Sequence, residues 1–177
     1  MASDEGRIVA IDVRAQLIGY VVFDSSTRLL EWGMRATNVE HRVEWIGDLV
    51  RLYQPLFVVL RSIERGGRRD TPGARQILRM ITAEARHHFV PAKFITNIAR
   101  QRFFFESYGL RTKYEIAPFL AATFPELKAK LPPSKRVWKP VPRRMSVFDA
   151  AQVGIVFLAT SAREDRSQNT GTLSPAP

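Results

Sequence analysis

The sequence predicts a mixed α/β domain: a five-stranded sheet, built as an antiparallel meander followed by helix-linked strands, with helices on both faces. Three observations predict it. Three apolar runs open the chain, separated by only a few polar residues each. The apolar spacing then changes to that of an amphipathic helix. A further run, residues 56–60 (LFVVL), is apolar throughout, as a central strand covered on both faces must be.

The elements follow in order. Residues 7–13 (RIVAIDV), 17–24 (LIGYVVFD) and 29–35 (LLEWGMR) read as strands, with turns at 14–16 and 25–28. Over residues 39–53, Val43, Ile46, Leu49, Val50 and Tyr53 fall on one helical stripe, and Asn38 is the expected N-cap. Strand 56–60 leads into a loop at 61–70 (RSIERGGRRD), which carries four arginines and a Gly-Gly pair. Thr71-Pro72 is a helix start, with a cap residue and then proline at the first helical position. Pro91 stops that helix, and residues 93–98 read as the fifth strand. Residues 99–123 read as one or two helices broken near Gly109. Residues 126–144, rich in proline and cations, read as extended. Residues 146–160 are an apolar helix against the sheet. One domain is expected over 1–160, with a disordered polar tail over 161–177.

Composition limits function. The chain has 177 residues, with 27 Lys+Arg against 17 Asp+Glu, a net charge of +10. Such a surface favours polyanionic partners, because each cation that neutralises a phosphate releases a counterion. No cysteine is present, which excludes disulfides, thiolate zinc sites and a cysteine nucleophile. The polar start is unlike a signal peptide, no run approaches a membrane span in length, and a cytoplasmic location without a membrane partner is expected. No serine-based triad and no Gly-rich phosphate loop is legible. His41, His87 and His88 lack metal-ligand spacing.

Ile11-Asp12, a short gap and Gly19-Tyr20-Val21-Val22 resemble the opening of the RuvC Holliday-junction resolvase family. Residues 149–155 (DAAQVGI) resemble that family's closing helix. The element order is likewise ribonuclease H-like, so a ribonuclease H-like mixed five-stranded sheet is expected. The resemblance implies binding of branched or duplex nucleic acid, DNA before RNA, and a homodimer. It also implies phosphodiester cleavage by carboxylate-held Mg²⁺ or Mn²⁺, since such ions take hard oxygen ligands. Asp12 and Asp149 match the family's acids. Glu64 stands as a third catalytic and metal-binding candidate, and Gln152 falls at the place of a fourth acid.

The chain departs from the family at three places. Counting from the shared proline, the second acid's place holds Arg61; Gln152 brings no charge; and Val13-Arg14 replaces Pro-Gly. A fixed guanidinium repels a divalent cation and pairs with carboxylates instead. A second reading therefore stands beside the first: a catalytically inactive ribonuclease H-fold module binding nucleic acid or an acidic protein. Asp12 also reads as a paired strand-end acid, and Ser146 with Asp149 as a capping box. The expected phosphate contacts are Arg14, the loop residues Arg61, Arg65, Arg68 and Arg69, then Arg100 and Arg102 among aromatics. Lys135, Arg136, Trp138, Lys139, Arg143 and Arg144 complete them.

Overall fold

The structure, a computed structural model, describes residues 6–37, 43–132 and 141–170, with side chains described as far as residue 164. The meander forms as β1 (Ile8–Val13), β2 (Leu17–Ser25) and β3 (Arg28–Ala36). Helix α1 (Glu44–Tyr53) leads to β4 (Phe57–Arg61), and α2 (Pro72–His87) to β5 (Ala92–Ile95). Helices α3 (Asn97–Tyr108), α4 (Lys113–Thr123) and α5 (Met145–Thr170) complete the order. The expected N-cap Asn38, with His41, lies outside the described residues.

The sheet order is β3-β2-β1-β4-β5. The meander pairs antiparallel, whereas β4 is parallel to both β1 and β5. Strand period two sends alternate residues to opposite faces. On one face Val9, Ile11, Val22, Val58 and Leu60 pack against α1 and α2 through Ile46, Val50, Ile77 and Ile81. On the other, Ile8, Ala10, Val21, Phe23 and Val59 pack against α3, α4 and α5. Asp12 shares the parity of Ile8 and Ala10 and so faces α5.

Two glycines bring α5 down onto the sheet. A Cβ at Gly19 of β2 would lie 2.1 Å from the Ser146 carbonyl oxygen, and one at Gly154 would lie 2.2 Å from the Phe23 ring. Only hydrogen at both positions permits this approach.

The structure departs from expectation at several ends. β5 is shorter than residues 93–98, because the Thr96 side chain accepts from the Ala99 amide (3.1 Å) and starts α3 there. Gly109, at φ 69°, separates α3 from α4. Part of the proline-rich stretch is not extended: Pro125–Lys130 is a short 3-10 helix, with proline at its permitted first turn. α5 continues through residues 161–170, which composition assigned to a disordered tail. No proline or glycine interrupts that stretch, and Ala162, Arg163 and Glu164 favour helix. Residues 171–177 lie outside the described residues. The expectation that no run reaches membrane-span length is also corrected. Met145–Glu164 is long and apolar enough, but 72% of that stretch is buried inside the protein, as in a core helix.

Candidate functional site

Three elements converge at one edge of the α5 face. Asp12 sits near the end of β1, opposite Gly19 on β2. The parallel register pairs Ile11 with Leu60, so the next step along β4 sets Arg61 beside Asp12. The contact at Gly19 anchors the first turn of α5, and Asp149 follows Ser146 by three residues, just under one turn. Both carboxylates are buried, at 0% and 1% exposure.

Arginines fill the space between them. The Arg69 guanidinium donates from Nη1 to Asp12 Oδ1 and from Nη2 to Asp149 Oδ2 (2.8 Å). Arg14 reaches the same two groups, Nη2 to Asp149 Oδ2 at 2.6 Å and Nε to Asp12 Oδ2 at 3.4 Å. Arg61 lies 3.6 Å from Asp12 Oδ1 and donates to Asn97 Oδ1 (2.7 Å). Arg100 donates to the same Asn97 oxygen (2.8 Å) and to Gln152 Oε1. The Gln152 amide points at Asp149 Oδ1, 3.5 Å away.

The titration of the pair follows from burial and charge. Burial opposes ionisation of Asp149, but Arg69, Arg14, Arg61 and Arg100 together outweigh it and hold that carboxyl below its ordinary value. Burial, then the Asp149 charge, push Asp12 the other way, above its ordinary value and against Arg69, Arg61 and Arg14. Burial works against the charge on Arg69, yet its two carboxylates more than restore it.

The donor set does not fit a divalent cation. Both oxygens of Asp12 and Oδ2 of Asp149 are taken by guanidinium groups. The Gln152 oxygen accepts from Arg100. Glu64 does not join the pair: its Oε1 accepts from the Asn97 amide (3.0 Å) at the start of α3, where a carboxylate complements the helix dipole. Among the described residues, no group of three or more His, Asp or Glu side chains gathers as a metal site. The capping-box alternative for Ser146 and Asp149 is absent too. The Ser146 hydroxyl donates to the Arg143 carbonyl (2.9 Å), and Asp149 is committed to arginines.

The remaining expected contacts divide by position. Arg65 and Arg68 are exposed on the loop between β4 and α2. Arg102 is exposed and 3.7 Å from Glu106, on a solvated face of α3. Phe103 and Phe104 are buried, leaving only Phe105 of that triplet exposed, under the Arg111 guanidinium (5.0 Å). Arg143 and Arg144 are exposed just before α5, while Lys135, Arg136, Trp138 and Lys139 lie outside the described residues. Asn97, the oxygen shared by two arginines, was not legible as a site residue. Its signal was positional: it starts the helix that follows β5, the strand paired with β4 at Arg61.

No family profile matches the sequence, and no curated protein matches it. Solved structures do share its fold. RuvC from Thermus thermophilus superposes with a TM-score of 0.65 at 16% identity, over 90% of this chain and 96% of that one. T. thermophilus RuvC in complex with a Holliday junction substrate gives 0.63 at 16% identity, over 89% and 96%. The yeast mitochondrial Holliday junction resolvase gives 0.64 at 10% identity, over 94% and 83%. The chain therefore has the mixed five-stranded, ribonuclease H-like fold of the RuvC-type resolvases.

Proposed function

We propose that this protein binds nucleic acid through an arginine-lined cleft and does not carry out metal-dependent phosphodiester cleavage. One observation carries this reading: the Arg69 guanidinium lies between Asp12 and Asp149, the two acids that would have to share a cation. The carboxylates then work as anchors. Held in low dielectric, they fix the planes of Arg69 and Arg14, so those groups are oriented before any ligand arrives.

The cleft above them has a volume of about 620 Å³. Arg14, Arg61, Arg68, Arg69, Arg100 and Lys113 line it. Against these six cations stand Glu64 and Asp149 in the lining and Asp12 paired to the arginines, a net excess of three positive charges. That excess suits a phosphate backbone. The complex of T. thermophilus RuvC with a Holliday junction substrate favours branched DNA as the partner to test.

The test combines binding and cleavage. Fluorescence anisotropy with a four-way junction and a linear duplex is expected to show affinity falling with salt, with a log–log slope of about −3 or steeper for several phosphate contacts. Incubation with Mn²⁺ is expected to leave the junction intact. Cleavage that disappears in the Asp12→Asn variant would overturn the inactive reading. Absent or salt-independent binding would favour a module for an acidic protein instead.

A further inference from the structure

The four buried or half-buried guanidinium groups of the cleft are not equally neutralised. Arg14 and Arg69 bond the two carboxylates, cation against anion. Arg61 and Arg100 hydrogen-bond neutral partners among the described residues, and Arg61 keeps only a longer ion pair to Asp12. Both donate to one amide oxygen, Asn97 Oδ1, and Arg100 also to the amide oxygen of Gln152. The nearest carboxylate oxygen to Arg61 is 3.6 Å away and is already held by Arg69.

Arg100 is 7% exposed, and its buried Nε has no hydrogen-bond partner among the described residues. Burial lowers both groups below the ordinary arginine value. Arg69 lowers Arg61 further, and Arg61 does the same to Arg100. Lys113, on the same cleft, is likewise lowered by burial and by Arg14, Arg69 and Arg61, against Asp149. Two guanidiniums crowded onto one neutral oxygen form an ion network short of two negative charges.

We infer that Arg61 and Arg100 form a subsite for a phosphate monoester dianion, the terminal phosphate of a nucleic-acid strand. A diester inside the chain brings one negative charge; a monoester brings nearly two at pH 7 and more acceptor oxygens. Planar guanidiniums match those oxygens in paired hydrogen bonds. This inference rests on the reading of the cleft as a nucleic-acid site and adds which part of the strand it takes.

The experiment measures competition by oligonucleotides identical except for a 5′-phosphate, a 3′-phosphate or hydroxyl ends, using the full chain. At least one phosphorylated end is expected to compete about ten-fold better than hydroxyl ends. The preference should shrink between pH 7.5 and pH 5.5, as the dianion takes up one proton near pH 6 and becomes a monoanion. It should fall below about two-fold in Arg61→Gln, a half-buried position where folding is checked by circular dichroism, and in Arg100→Lys. Because the readout is a ratio, a general loss of affinity does not imitate it. Equal affinity for all three strands overturns the subsite and leaves the proposed function standing. No binding of any strand removes the proposed function. In that case inorganic phosphate and a nucleoside monophosphate decide: a melting-temperature rise in the parent but not in Arg61→Gln assigns the subsite to a free phosphate ester, and no rise overturns it.

Discussion

Replacing Arg69 by glutamine removes a guanidinium that donates to both buried carboxylates, and the structure sets the size of the loss. Breaking a fully buried ion pair from one side costs about 3–5 kcal/mol, because the remaining charge stays desolvated. Two features reduce that here. Arg69 is 25% exposed, so part of its field is screened by water. Arg14 also still reaches Asp149 at 2.6 Å and Asp12 at 3.4 Å. A loss of about 2–3 kcal/mol remains. At about 2–4 °C per kcal/mol for a domain of this size, melting should fall by roughly 5–10 °C. Urea denaturation followed by circular dichroism measures it. Combining Arg69→Gln with Asp149→Asn should cost less than the sum of the two single changes, since each removes the same interaction. A single-variant loss under about 0.5 kcal/mol, the size of an ordinary surface substitution, would refute the claim that Arg69 locks the acids.

Two other perturbations probe what places the site. Gly19→Ala puts a methyl 2.1 Å from the Ser146 carbonyl oxygen, which α5 can relieve only by lifting from the sheet. A loss at or above the usual 1–3 kcal/mol of overpacking is expected in urea denaturation, and a neutral result would mean that the helix does not sit that close. Asp149 is held below its ordinary value in the folded protein, so its ionised form stabilises the fold at neutral pH. That contribution is lost as pH falls through the depressed folded value, which lies below 3.8. The stability gap between the parent and Asp149→Asn should therefore be widest near neutrality and close below that value. A gap constant from pH 7 to pH 2.5 would show that the carboxylate charge is not what the arginines hold.

Much of the scaffold was legible because its signals are local. β1 and most of β2 are buried on both faces, alternate residues entering opposite core layers by strand period two, and the apolar run 57–60 of β4 is covered on both faces in the same way. Thr71 accepting from the Ala74 amide (3.1 Å) at the start of α2 follows from cap chemistry over four residues. The ends that differ from the sequence expectation depend on context. β5 yields two residues to α3 because Thr96 caps a helix. α5 outlasts its apolar stripe because helix formers continue beyond the core.

The amino-acid order alone determined the sheet, the basic surface, and Asp12, Arg61 and Asp149 as residues of one site. Which arginine closes the gap between the acids was decided only in three dimensions. Arg61, Arg65, Arg68 and Arg69 sit within nine positions of one loop and its preceding strand end, chemically identical and under no period. In the fold Arg69 turns inward to both carboxylates, while Arg65 and Arg68 face solvent. A long side chain on an irregular loop goes where the opposite charge and the available space direct it, and both are made by segments more than fifty residues away.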